Sequence, residues 1–268
     1  MRVIRRRRRA RRRRPVRIPG AVLLTFGCLP GLAVVLALVL SASGAERSVP
    51  VRSPRPVRVQ AASLHQAPKP RIVPREAWAR DSGRTRPPPR YDDRVVAVFV
   101  HHTDSPGRYR CAEVPRIIRA LHAGQTRHRR WDDIGYHFLV DRCGTIYEGR
   151  AGGVDRPVTG AHTQGFNHRT TGIAALGTFT AGTTVPRAMT DAISALAAWK
   201  LSLAGIDPRS RVRLVSSNGH SRYRTGTTAL LPALAGHNDG YRTSCPGAAL
   251  TALLPAIRER AARLQGRQ

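Results

Sequence analysis

Residues 95–103 read VVAVFVHHT and include the strand that is most informative about the fold. Residues 95–100 are an unbroken apolar run dominated by β-branched and aromatic side chains, which is typical of a strand buried on both faces of a sheet. His101 and His102 follow this run directly. Because successive strand residues point to opposite faces, only one of these imidazoles can point towards a shared site. The segment therefore predicts a central strand that ends in a candidate ligand.

Strand and helix patterns alternate through the rest of the folded chain. Helical periodicity is present at residues 113–129, at residues 186–204 and after Gly247. Strand patterns are present at residues 136–140, 145–148 and 173–179, the first two forming a hairpin. Pro255 is expected to break the last helix, because proline has no N–H to donate and its ring clashes with the preceding turn. This mixture indicates an α/β domain with one central sheet.

The chain is strongly basic. It has 46 lysines and arginines against 16 acidic residues, a formal charge of +30. Eleven arginines lie within the first 17 residues, and the remainder still carries about +19 by the same count. Such a charge favours a polyanionic partner: nucleic acid, anionic lipid or an anionic cell wall.

The N-terminal segment indicates export. Residues 18–45 contain no charged side chain, and residues 21–40 are almost wholly apolar. A basic start, an apolar run and small residues up to Ala45 predict a signal peptide over residues 1–45. An uncleaved membrane anchor is the alternative, since the run is long enough to span a bilayer. A nucleic-acid-binding arm is disfavoured, because such an arm would not be followed by an apolar segment.

The sequence divides into further regions after the leader. Residues 46–70 are rich in Pro, Arg, Ser and Ala without apolar periodicity, which predicts an extended linker. The folded domain is predicted at residues 71–264, followed by a short tail at 265–268. We expect a secreted or wall-associated monomer, in contact with the membrane only through its N-terminal segment.

Four cysteines require placement. Cys28 lies within the apolar run, and its flanks match a lipoprotein box poorly. Cys111, Cys143 and Cys245 lie in the exported part, where disulfides are expected. Three cysteines cannot all pair with one another, so one of them is free or binds a metal.

A His–Cys pair carries the first chemical signal. His237 and Cys245 are eight residues apart in a polar loop that ends where a helix is predicted to start. Imidazole and thiolate are side chains that zinc prefers, and a helix N-terminus favours the thiolate. A third ligand is expected from the strand end at His101 or His102. The alternative is that His237 caps a loop and Cys245 packs as a small hydrophobic residue.

Four segments carry a resemblance to a known family. They are VFVHHT (98–103), WDDIGYHFLVDRCGTIYEGRAGG (131–153), GAHTQGFNHRTTGIAALGTF (160–179) and GHNDGYRTSCPG (236–247). In this order they resemble the peptidoglycan recognition protein and type 2 amidase family, over about residues 71–262. The resemblance implies a mixed central β-sheet flanked by helices. It also implies zinc-dependent hydrolysis of the amide bond between N-acetylmuramic acid and L-alanine in peptidoglycan.

The resemblance assigns roles to individual residues. His101, His237 and Cys245 match the ligands of one zinc ion. Tyr136 matches a tyrosine needed for cleavage, and Thr243 matches a position that active members fill with lysine or threonine. Substrate contacts are implied for three further residues: His102, His162 and Asn167.

The resemblance also implies a disulfide between Cys111 and Cys143, which secreted relatives share. Cys245 would then stay reduced for the metal. This chain departs from the family at Asn238, where relatives usually have arginine, and at His137, where many have asparagine. Neither position matches a zinc ligand.

The sequence leaves two rival functions to consider. A non-catalytic peptidoglycan-binding module would use the same groove, but members that only bind typically lack the ligand cysteine or the tyrosine. A cationic membrane-binding or nucleic-acid-binding protein would leave the four ordered motifs unexplained. We therefore expect an enzyme that acts on muropeptides, with anionic wall polymers as partners and no nucleic acid.

Overall fold

The structure, a computed structural model, describes residues 64–79 and 86–268. Six strands form the main sheet: β1 (Ile72–Val73), β2 (Ala97–His102), β3 (Phe138–Val140), β4 (Ile146–Glu148), β5 (Thr170–Ala175) and β8 (Leu234–Gly236). Their order is β1-β4-β3-β5-β2-β8. β3 and β4 pair antiparallel, whereas the other neighbours pair parallel. The predicted mixed central sheet is therefore confirmed.

Strand β2 lies between β5 and β8 in the interior of the sheet. Every residue of β2 is buried, as the apolar run predicted. The strand ends two residues later than the run, however, because His101 and His102 pair with Ala174 and Ala175 of β5. Both histidines are thus held by the sheet itself.

Strand β5 begins and ends earlier than predicted. It starts at Thr170, because its first residues pair with the start of β2. It ends at Ala175, two residues before Gly177, which has φ +139°. That backbone conformation suits glycine and lies outside the strand region.

Helices cover both faces of the sheet. On one face, α2 (Arg187–Ser202) and α4 (Ala248–Leu264) pack on each other and on β2, β3 and β5. On the other face, α1 (Val114–Ala123) packs with Trp78 and the outer strands. The predicted helix at 113–129 ends as a π-helical turn, Gly124–His128. The short helix α3 (His237–Gly240) directly follows β8.

The predicted break at Pro255 is wrong, because α4 continues through that residue. Pro255 is exposed, so the carbonyl that loses its usual donor can be hydrated. Leu250, Leu254 and Ile257 are buried on the opposite side. Their packing holds the helix together across the proline.

A separate antiparallel pair, β6 (Arg211–Val215) and β7 (Thr228–Pro232), forms a two-stranded sheet. Leu214 and Leu231 on its inner face pack against Phe99 and Phe166. This packing attaches the pair to the main sheet through the first half of β2.

The predicted disulfide between Cys111 and Cys143 is present and closes a sequence separation of 32 residues. It ties the segment before α1 to the β3–β4 turn. Ala67 is buried in the core and Lys69 forms an ion pair with Asp155 at 2.7 Å, so residues before 71 also contact the described fold. The predicted leader and most of the linker lie outside the described residues. No described helix has the length and apolar character needed to cross a bilayer.

Candidate metal centre

Three candidate ligands meet at the carboxyl ends of two neighbouring parallel strands. His101 lies near the end of β2, and His237 opens α3 directly after β8. Cys245 lies just before α4 and is free and buried. One donor atom from each residue lies within 4.8 Å of the other two. The sequence separated these residues by up to 144 positions, and the sheet brings them together.

The donor set fits a tetrahedral zinc ion. His101 Nδ1 and Cys245 Sγ are 3.9 Å apart. Zinc bonds of about 2.0–2.3 Å place neighbouring ligand atoms about 3.3–3.6 Å apart, so this pair needs only a small movement, and the other two pairs lie within 4.8 Å. Two imidazoles and one thiolate leave a fourth position for a small molecule, as in catalytic zinc sites.

The protonation of the imidazoles suits a cation. Burial, followed by the neighbouring His237, lowers the pKa of His101 well below its usual value. Burial also lowers the pKa of His237 to about 4. Both rings are therefore neutral at pH 7 and have a lone pair to offer a metal.

The sulfur needs the cation in order to ionise. Burial raises the pKa of Cys245 to about 12, against the opposing effect of the His102 backbone N–H, which donates to Sγ at 3.2 Å. A bound divalent ion would displace the thiol proton, and the same N–H would then stabilise the thiolate. His102 thus contributes its backbone N–H to the site, whereas His101 contributes its imidazole ring.

Tyr136 stands next to the candidate ligands. Its ring centroid lies 5.2 Å from that of His101. The hydroxyl forms no hydrogen bond to another described residue. Burial, reinforced by Cys245, raises the pKa of Tyr136, so the hydroxyl keeps its proton and can donate a hydrogen bond.

A buried carboxylate holds the segment that carries Tyr136. Asp133 accepts the backbone N–H groups of Ile134 and Ala151 and pairs with Arg75 at 2.7 Å. Burial opposes the charge of Asp133, but hydrogen bonding to His122 and the charge of Arg75 lower its pKa overall. Asp133 was not predicted as a site residue from the sequence, although it lies within the WDDIGY motif.

Backbone and side-chain hydrogen bonds shape the loop between His237 and Cys245. The N–H of Asn238 donates to the Cys245 carbonyl at 3.0 Å, so this bond does not depend on the side chain at 238. Thr243 Oγ1 accepts the Cys245 N–H at 3.1 Å. Tyr241 stacks on His237, with ring centroids 5.3 Å apart and planes at 12°. This stacking was also missed, because sequence order does not reveal it.

The three residues predicted to contact substrate, His102, His162 and Asn167, differ in their hydrogen bonding. Within the described part of the chain, the Nδ1 atom of His102 is buried and has no hydrogen-bond partner. His162 lies 3.2 Å from His101, measured between Nδ1 and Nε2. Asn167 Oδ1 accepts the backbone N–H groups of His162 and Thr163. Their contact with substrate stays a prediction.

His137, the second departure from the family pattern, is integrated into the fold. Its Nδ1 accepts the Gly172 N–H at 3.0 Å, and its Nε2 lies 2.7 Å from the Val158 carbonyl. A carbonyl can only accept, so Nε2 carries the proton. The imidazole therefore bridges two segments and remains neutral.

Residues 91–248 match the family described as N-acetylmuramoyl-L-alanine amidase. The chain belongs to this amidase family. The match spans the four motifs and all three candidate metal ligands, so the resemblance seen in the sequence is confirmed.

Relatives and solved structures agree with this membership. The N-acetylmuramoyl-L-alanine amidases of Sus scrofa and Homo sapiens are 30% and 32% identical to this amidase-family chain over 189 and 188 residues. These alignments cover 69% of this chain but only 27% and 28% of the relatives. The structure is similar to Drosophila PGRP-LB (TM-score 0.53, 25% identity, covering 69% of this chain and 93% of that one). It is also similar to human PGRP-IBETAC in complex with glycosamyl muramyl pentapeptide (TM-score 0.52, 27% identity, covering 68% and 93%).

Proposed function

We propose that this protein is a zinc-dependent N-acetylmuramoyl-L-alanine amidase that hydrolyses the amide bond between the lactyl group of N-acetylmuramic acid and L-alanine in peptidoglycan. The supporting observation is the convergence of His101, His237 and Cys245 beside a protonated tyrosine. A module that only binds peptidoglycan would have no need for a reduced, buried cysteine between two neutral imidazoles.

His101, His237 and Cys245 would hold the zinc ion. When bound, zinc supplies a Lewis acid and lowers the pKa of coordinated water towards about 7. Tyr136 donates a hydrogen bond to the lactyl carbonyl oxygen as negative charge develops there. Thr243 accepts a backbone N–H, so its own hydroxyl proton remains available to orient the attacking water or the developing oxyanion. His102 and Asn167 are proposed to line the muropeptide groove, whereas both ring nitrogens of His162 face protein groups.

The reaction is tested by digesting purified peptidoglycan and identifying the products by mass spectrometry, with zinc analysis of the same protein sample. We expect free L-alanine amino ends, intact glycan strands and about one zinc per chain. A chelator should stop the reaction, and added zinc should restore it. Binding without new amino ends, or activity that persists through chelation, would contradict the proposal.

Part of the basic charge lies on the β6–β7 pair and the loop that connects its strands. Arg211 and Arg213 are exposed on its outer face, and Arg222 and Arg224 are exposed on the connecting loop. Residues 208–238 contain no acidic side chain. Among the described residues, none of these four arginines forms an ion pair. We propose that this face binds anionic wall polymers and keeps the exported protein at the wall.

This proposal predicts salt-dependent retention on cell walls. Binding to intact walls should weaken as salt rises, because screening reduces attraction between exposed charges. The double variant Arg211→Gln, Arg213→Gln should flatten the plot of log affinity against log salt by about one unit per arginine.

The matched control is Arg71→Gln, Arg263→Gln, which removes the same charge from two exposed arginines away from the pair. It should leave the slope closer to that of the unmodified protein. Retention that is independent of salt, or equal loss in both double variants, would argue against a specific cationic face.

A further inference from the structure

The His162 ring lies buried between His101 and Thr170. Its Nδ1 is 3.2 Å from His101 Nε2, and its Nε2 is 3.3 Å from Thr170 Oγ1. Only 7% of the residue is exposed. Both ring nitrogens therefore face protein groups.

The direction of the hydrogen bonds that link His101, His162 and Thr170 follows from the partner of Thr170. Thr170 Oγ1 lies 2.6 Å from the Phe166 carbonyl, which can only accept, so the threonine donates its one proton there. At His162 the same oxygen must then accept, which places a proton on His162 Nε2. A neutral imidazole with one protonated nitrogen leaves its other nitrogen, Nδ1, as an acceptor.

The neighbouring Thr163 hydroxyl is compatible with this assignment. It lies 3.0 Å from His162 Nδ1 and 3.4 Å from His101 Nε2. It can donate to the first nitrogen and accept from the second. In either case His101 Nε2 carries the proton and points towards acceptors.

The position of this proton determines which nitrogen of His101 can bind a metal. With its proton on Nε2, His101 has its lone pair on Nδ1, the atom that faces Cys245 Sγ at 3.9 Å. We propose that His162, anchored by Thr170, is a positioning residue that selects the His101 tautomer presenting Nδ1 to the metal. The identity of that metal rests on the proposed function, whereas the tautomer does not.

The residues packed around the His162 ring restrict its position. A Cβ atom at Gly160 or Gly172 would lie 2.5 Å from the His162 ring, so both positions require glycine if the ring stays in place. Asn167 accepts the backbone N–H of His162 and fixes the turn from which the ring projects. His137 packs against the ring edge-to-face at 5.4 Å. Because outer hydrogen bonds orient metal-bound histidines, such a fixed partner is expected to matter for affinity.

The test compares variants that break or keep the hydrogen bonds linking His101, His162 and Thr170. His162→Leu and Thr170→Val remove an acceptor, whereas His162→Asn and Thr170→Ser keep an oxygen near the same position. Zinc dissociation constants are measured by competition with a chromophoric chelator. The first pair should bind zinc about 10- to 100-fold more weakly, and the second pair should recover most of that loss. If the first pair melts cooperatively but binds zinc like the unmodified protein, the proposal is wrong.

A second measurement needs no variant, metal or substrate. Long-range ¹H–¹⁵N correlation spectra of the zinc-free protein report which imidazole nitrogen is protonated. We expect protons on Nε2 of both His101 and His162. A proton on Nδ1 of His101 would overturn the inference whether or not the protein proves to be an amidase. Conversely, the expected tautomer in a protein without hydrolytic activity would leave the inference intact and reject the proposed function.

Discussion

Cys245→Ser is expected to abolish zinc binding and amide hydrolysis while leaving muropeptide binding in place. The sulfur is buried and accepts a hydrogen bond from the His102 N–H. A serine oxygen fits in the same space and can accept the same hydrogen bond, so the fold should be retained. A serine hydroxyl does not ionise readily and is a poor zinc ligand, whereas a thiolate is a preferred one. Zinc per chain should fall from about one to near zero, and activity should fall to background.

Three measurements separate this outcome from misfolding. Zinc content, release of amino ends and calorimetric binding of a muropeptide are compared in the same preparation. Ser244→Ala is the matched control, because the neighbouring serine is exposed and its side chain is not a candidate ligand. If Cys245→Ser hydrolyses peptidoglycan at the rate of the unmodified protein, the metal site has been placed wrongly.

Tyr136→Phe is expected to lower kcat by about 10²- to 10³-fold with little change in zinc affinity or thermal stability. The magnitude is that of removing one hydrogen-bond donor to a developing oxyanion. Stability should be almost unaffected, because the Tyr136 hydroxyl has no hydrogen bond to another described residue and the ring is retained. Steady-state kinetics on soluble muropeptide, zinc titration and a melting curve test the three parts.

Tyr241→Phe is the corresponding control. It removes a hydroxyl from the other tyrosine of the site but keeps the ring that stacks on His237. Its kcat should stay near that of the unmodified protein. Equal losses in the two variants would show that the hydroxyl of Tyr136 has no specific part in catalysis.

Some of the fold was predictable because burial and periodicity are local properties. The apolar run before His101 predicted a buried strand, and the hairpin around Cys143 was correctly anticipated. Strand ends were less accurate, since pairing with β5 extends β2 through His102. The error at Pro255 has a similar origin: packing of distant elements overrides a local helix-breaking preference.

The candidate site could be assembled from the sequence only with the help of the family resemblance. His237 and Cys245 carried a chemical signal through their spacing, whereas Tyr136 had none apart from its motif. Spacing also left His101 and His102 as equal candidates. The structure distinguishes them, because the His101 ring joins the donor cluster and the His102 backbone N–H donates to the sulfur.

The amino-acid order alone specifies which chemical groups are available: a buried strand, two imidazoles and one unpaired thiol suited to zinc, and the motifs of an amidase family. The orientation of these groups depends on contacts that exist only in the folded protein. Lone-pair direction at His101 depends on His162, 61 residues away, and on the Thr170 hydroxyl beyond it. Hydrogen-bond direction is set by whichever donors and acceptors the folded backbone places in contact, and chain order alone does not specify those contacts.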